Sequence, residues 1–146
     1  MERTVFYIRH FNDIDHLTPV MWKILQKKQN VQAIVMDPFC RIRTDLRLKF
    51  LKKFSGFKIC YYYQLRRPFP KIELAGIFQK SILRRLIQTV FKCVNRVFFS
   101  ESWAEAVLND LLPNASIFDW GGIEGPIRGK FFRASKKLKI PVLCLP

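Results

Sequence analysis

The sequence predicts an α/β domain, a mostly parallel sheet with helices on both faces. Three observations carry this. Short β-branched and aromatic runs alternate with helix-period stretches along the whole chain; the run at 33–36 is apolar on both faces, as a strand inside a parallel sheet must be; and 49% hydrophobic with 14% aromatic residues supplies one core. At 146 residues the chain is sized for a single compact domain.

The elements follow in order. Residues 4–9, TVFYIR, read as a strand that stops at the polar cluster 10–16, which reads as a loop. Thr18 and Pro19 then suit an N-cap and first helical position, with Val20, Ile24 and Leu25 at helical spacing. The segment VQAIVMD is the second strand, ending at Asp37 and Pro38. Residues 41–54 place Leu46, Phe50, Leu51 and Phe54 on one side of a helix that Gly56 can stop.

FKICYYYQL is the third strand, and 66–70 is a proline-broken loop. The longest helical pattern, 74–99, follows, with Phe78, Ile82, Leu86, Val90, Val94 and Val97 as its apolar stripe and a break near Phe98. Residues 102–112 form another helix closed by Pro113, 115–120 a fourth strand stopped by Gly121 and Gly122, 131–138 a helix, and IPVLCLP a fifth strand. This alternation with right-handed crossovers is a single Rossmann-like domain spanning 1–146. No repeat or linker divides it. Ending on a strand, it is expected to continue or to dock onto another unit.

Cys40, Cys60, Cys93 and Cys144 are far apart, with no C-x-x-C pair, and read as reduced core thiols. The N-terminus has no apolar signal region and no stretch approaches the ~18 apolar residues of a membrane span, so a cytoplasmic domain is expected. The formal net charge is +15, from 26 Lys and Arg against 11 Asp and Glu. Residues 41–100 carry 15 basic and two acidic side chains, so the excess is regional and suggests one electropositive face.

Ligands of open parallel sheets lie at the carboxyl ends of the strands. There the sequence gathers His10, Asn12, Asp13, Asp15 and His16 after the first strand, Asp37 after the second, and Gln64, Arg66 and Arg67 after the third. Asp119, Trp120, Gly121, Gly122 and Glu124 follow the fourth. A histidine beside a carboxylate is an acid/base pairing, and Asn with Asp suits a sugar or polyol diol, so Asp13, Asp15 and His16 are the catalytic candidates and the others the substrate-binding ones. Asp13 or Asp15 could equally cap the next helix. His10, Asp13 and His16 have spacing that could reach a metal, but no metal site is assigned.

The glycines of D-W-G-G-I-E-G permit close backbone approach, and a tight surface turn suits them as well. The first βα turn lacks G-x-G-x-x-G, which disfavours an ordinary dinucleotide site; the absence of G-x-S-x-G and G-x-x-x-x-G-K removes the serine hydrolase and P-loop readings. Lys80, Arg84, Arg85, Lys92 and Arg96 flank Phe78, Phe91, Phe98 and Phe99, the composition of a helix on an anionic membrane surface; a solvated face and nucleic-acid contact stay open.

The first strand with its polar loop, the D-W-G-G turn and the K-I-P-V-L-C-L-P segment together resemble the N-terminal domain of GT-B glycosyltransferases and their relatives, the CDP-glycerol glycerophosphotransferases and UDP-N-acetylglucosamine 2-epimerases. The resemblance implies an acceptor-side domain that binds no cofactor alone. A separate C-terminal domain or partner chain, absent from this sequence, would hold the nucleotide-activated sugar or polyol donor. It further implies surface polysaccharide or wall-polymer synthesis at the inner membrane face. A basic nucleic-acid-binding module and an epimerase-like half-domain are the alternatives.

Overall fold

In the computed structural model, residues 2–42, 44–66, 89–90, 93–95, 97–119 and 125–145 are described. Five strands form one all-parallel sheet: β1 (Arg3–Ile8), β2 (Asn30–Val35), β3 (Phe57–Tyr61), β4 (Ala115–Asp119) and β5 (Val142–Leu145), in spatial order β3-β2-β1-β4-β5. The predicted α/β class with a parallel sheet is what the chain adopts. β1 is central because Val5, Phe6, Tyr7 and Ile8 are all apolar and fully buried, so neither face of this strand can meet water. Its register sets Ile8 beside Val35 of β2 and Tyr7 beside Phe118 of β4, and those rows bring the strand ends to one rim.

Helix α1 (Phe11–Gln26) returns the chain from β1 to β2, and α2 (Leu46–Leu51) packs beside it. Helices α3 (Glu101–Leu111) and α4 (Arg128–Lys137) pack on each other, joined by Trp103 against Phe131 at 5.2 Å between ring centroids. Glu101 and Glu105 of α3 pair with Arg133 and Lys137 of α4 at 2.7 and 2.8 Å. With the right-handed crossovers usual for parallel strands, the order β3-β2-β1-β4-β5 puts the α1–α2 pair and the α3–α4 pair on opposite faces of the sheet.

Several boundaries differ from expectation. The polar cluster 10–16 is not a loop: α1 begins at Phe11, and Pro19 lies inside it rather than opening it. Burial of Ile14, Leu17, Met21 and Leu25 on one stripe outweighs the backbone hydrogen bond that an interior proline forfeits. The second helix is short, because Asp45 caps it by accepting from the backbone N–H groups of Arg47 and Leu48 at 2.9 and 3.2 Å, which fixes its start at Leu46. Leu46 and Phe50, assigned to its inner side, are exposed.

Gly56 is needed for close approach, since a Cβ there would lie 3.2 Å from Gln29 O and Asn30 Oδ1. β3 ends at Tyr61 and passes into a 3-10 turn, Tyr62–Gln64, whose Gln64 Oε1 accepts from the Tyr61 N–H. Residues 89–90, 93–95 and 97–98 are helical and the helix stops before Phe99, as expected, but its stripe differs. Val94, Asn95 and Phe99 face the core whereas Val90 and Val97 are exposed, because Asn95 accepts from the buried Tyr62 hydroxyl at 2.7 Å and turns that side inward. Phe78, Ile82, Leu86 and Phe91 lie outside the described residues. All four cysteines are free; Cys40 is buried, but Cys93 is exposed rather than in the core.

Candidate functional site at the β1–β4 rim

The chain leaves β1 toward β2 and leaves β4 toward β5, in opposite directions across the sheet. The crevice above these two neighbouring strand ends is therefore the topological switch point, where ligands of open α/β sheets bind. Four segments deliver polar groups to it: Arg9 and His10 after β1, Asp13 in the first turn of α1, Asp119 closing β4, and Arg128 opening α4.

Asp13 is fully buried. Its place three residues into α1 turns the carboxyl back over the start of the helix, where Oδ2 accepts the Arg9 backbone N–H at 2.6 Å. Oδ1 has no hydrogen-bond donor and lies 3.3 Å from His10 Nδ1 and 3.8 Å from Arg9 Nη2. Burial pushes the Asp13 carboxyl above the ordinary aspartate range. A hydrogen bond with the Asp119 side chain and the charge of Asp119 add to this, while the Arg9 N–H and the His10 ring oppose it. Two carboxyl groups this close resist double ionisation, which is why Asp119 works in the same direction as burial.

Arg128 is 3% exposed. Nη2 donates to the Asp119 backbone carbonyl, and Nε and Nη1 are buried without an acceptor. The guanidinium also lies over the Phe118 ring, 5.8 Å from its centroid. Burial works against its charge; Asp13, Asp119 and Cys144 support it and Arg9 opposes it. A cation at the first position of a helix also meets the positive end of the macrodipole, at a cost of about 0.3–1 kcal/mol. Two independent terms thus disfavour Arg128 in this position.

The other candidates are distributed differently. His10 is exposed and reaches the cluster through its ring nitrogen, whereas Asn12 is exposed on α1. Asp15 and His16 do not join Asp13, because helical geometry turns them outward; Asp15 is 63% exposed and pairs with Arg47 of the α2 segment. Asp37 lies at the carboxyl end of β2, where its Oδ1 accepts the Phe39 N–H at 2.8 Å and forms a turn. Arg66 turns toward α3 and pairs with Asp110 at 3.2 Å. Trp120, Gly121, Gly122 and Glu124 lie outside the described residues, as do Arg67, Lys80, Arg84, Arg85, Lys92 and Arg96.

Sequence reasoning missed Arg9 and Arg128. The available signal for Arg128 was a cation at the start of a helix, straight after a glycine-rich turn, where charge complementarity favours an acid. A cavity of about 510 Å³ lies at the opposite end of the sheet, lined by Leu25, Lys28, Gln29, Asn30, Phe54, Ser55 and Gly56, away from these acid/base groups. Among the described residues no group of three His, Cys, Asp or Glu side chains could hold a metal ion, and no helix is long and apolar enough to cross a membrane. The sequence matches no protein-family model and no curated protein.

Proposed function

We propose that this domain is the acceptor-side half of a GT-B-like glycosyl- or glycerophospho-transferase of surface polysaccharide or wall-polymer synthesis. The supporting observation is the buried Asp13 carboxyl, raised above its ordinary range by burial and by the neighbouring Asp119, at the switch point of a parallel sheet. A carboxyl so placed can take the proton from an acceptor hydroxyl as that oxygen attacks the activated donor. The proton then passes from Asp13 to the neighbouring Asp119 carboxylate or to solvent at the open side of the rim.

Within this reading Asp13 is the catalytic base, and Asp15 and His16 are surface residues of α1. The domain binds the sugar or polyol acceptor and takes no cofactor of its own; the nucleotide-activated donor is held by a second domain or partner chain. Peripheral attachment at the inner face of an anionic membrane is part of the proposal, supported by the +15 net charge and by the exposed apolar side chains Val90, Val97 and Phe98 in the basic middle third.

The test is turnover with nucleotide-activated sugars and polyols. Residues 1–146 alone should give none, and the chain joined to a donor-binding domain should transfer to a hydroxylated acceptor. Multiple turnovers by residues 1–146 alone would overturn the reading.

A further inference from the structure

We propose that Arg128 is an anion-binding residue and that the ligand of the β1–β4 rim carries a phosphate group, which it seats on the free donors of this guanidinium. The inference rests on the acceptor-side reading for the identity of the ligand, and on the geometry alone for its charge. A side chain 3% exposed with two N–H atoms lacking acceptors is an unmet demand, because buried donors in native proteins are almost always paired. The backbone carbonyl of Asp119 satisfies Nη2 only.

The nature of the donors points the same way. Nε and Nη1 belong to one planar guanidinium that is buried without an acceptor for either. An anion with several acceptor oxygens can meet both orphaned donors with charge-assisted hydrogen bonds, which a neutral hydroxyl cannot. Asp13 Oδ1, the orphaned acceptor of the same cluster, is then available for a hydroxyl on the same ligand, so that phosphate and hydroxyl of one sugar or polyol phosphate occupy neighbouring positions.

Phosphate on a soluble ester and phosphate in a lipid-linked one share this chemistry. The experiment titrates the 146-residue chain with inorganic phosphate and with pyrophosphate, against glycerol and ionic-strength-matched chloride, following the Arg128 Nε–H resonance by ¹⁵N NMR. A saturable phosphate-dependent shift of that resonance, absent with chloride, is expected. Arg128→Lys keeps the charge facing Asp13 and Asp119 but removes the planar donors; it should fold and weaken phosphate binding roughly 10- to 100-fold, the span of one charge-assisted hydrogen bond.

Sedimentation with phosphatidylglycerol vesicles identifies the source. Binding that pyrophosphate competes away and Arg128→Lys weakens assigns a lipid phosphate, and saturable phosphate binding without that competition assigns a soluble one. An Arg128 resonance indifferent to phosphate, or equal phosphate affinity in Arg128→Lys, overturns the proposal. The two readings fail separately: phosphate bound at Arg128 in an enzyme whose turnover ignores Asp13→Asn leaves the anion site and removes the transferase, and a turnover that needs Asp13 without phosphate binding does the reverse.

Discussion

Replacing Asp13 with asparagine tests the electrostatics of the rim without disturbing its shape. The amide keeps an oxygen for the Arg9 N–H, now accepted at 2.6 Å, and fills the same buried volume while offering a donor to Asp119. It removes only the titration. An unfolded aspartate ionises near about 3.9, and burial with Asp119 alongside raises the folded value, so over the window between them the folded protein binds more protons than the unfolded chain. Stability is therefore fullest at or below the unfolded pKa and falls as pH rises through the folded one. The slope attributable to this proton is at most about 1.4 kcal/mol per pH unit, or roughly 3–6 °C in Tm for a domain of this size. Thermal unfolding by circular dichroism from pH 4.5 to 8 should show Asp13→Asn gaining on wild type as pH rises. Parallel curves, with the variant lower throughout, would mean that Asp13 is an ionised cap and would refute the raised carboxyl.

Three further outcomes follow from the same geometry. Asp45→Ala removes the acceptor for two backbone amides at the start of α2 and for the Arg47 guanidinium, and should cost about 1–2 kcal/mol in urea unfolding. Cys93 should react first with a thiol reagent in the native protein, since it is exposed, while Cys40 is buried and burial pushes the Cys60 thiol up to about 12; mass spectrometry of partially labelled protein reads the order. The Tyr7 and Tyr62 phenols, both driven upward chiefly by burial, should remain protonated past the ordinary value of ~10 until the fold opens, so their ionisation absorbance should appear together with unfolding.

The sheet was legible because strand burial is a local signal: 5–8 and 31–35 are nearly unbroken apolar runs, and no helical period fits them as well. Strand ends were legible for the same reason, and with them Asp13 and Asp119 as members of one rim. The start of α1 was hidden, since its N-cap is His10 and its first two turns carry Asn12, Asp13, Asp15 and His16, while Pro19 imitates a helix opening. Once those residues are helical, Asp13 is separated from Asp15 and His16 by rotation about the axis, which a loop reading could not foresee. Arg128 was hard to read for a different reason. Asp119 lies nine residues before it, but Asp13 comes to it only through the pairing of β1 with β4, and sequence spacing carries no trace of a contact made across more than a hundred residues.

The most direct measurement is kcat for three single variants of the transferase that contains this domain: Asp13→Asn, Asp15→Asn and His16→Ala. With Asp13 as the group that takes the acceptor proton, Asp13→Asn should lose roughly 100-fold or more in kcat, the span of a positioned general base, while its folded stability holds. Asp15→Asn and His16→Ala, on the solvent side of α1, should stay near wild type. An unchanged kcat for Asp13→Asn beside a collapse for either of the others would contradict a site built at the β1–β4 rim.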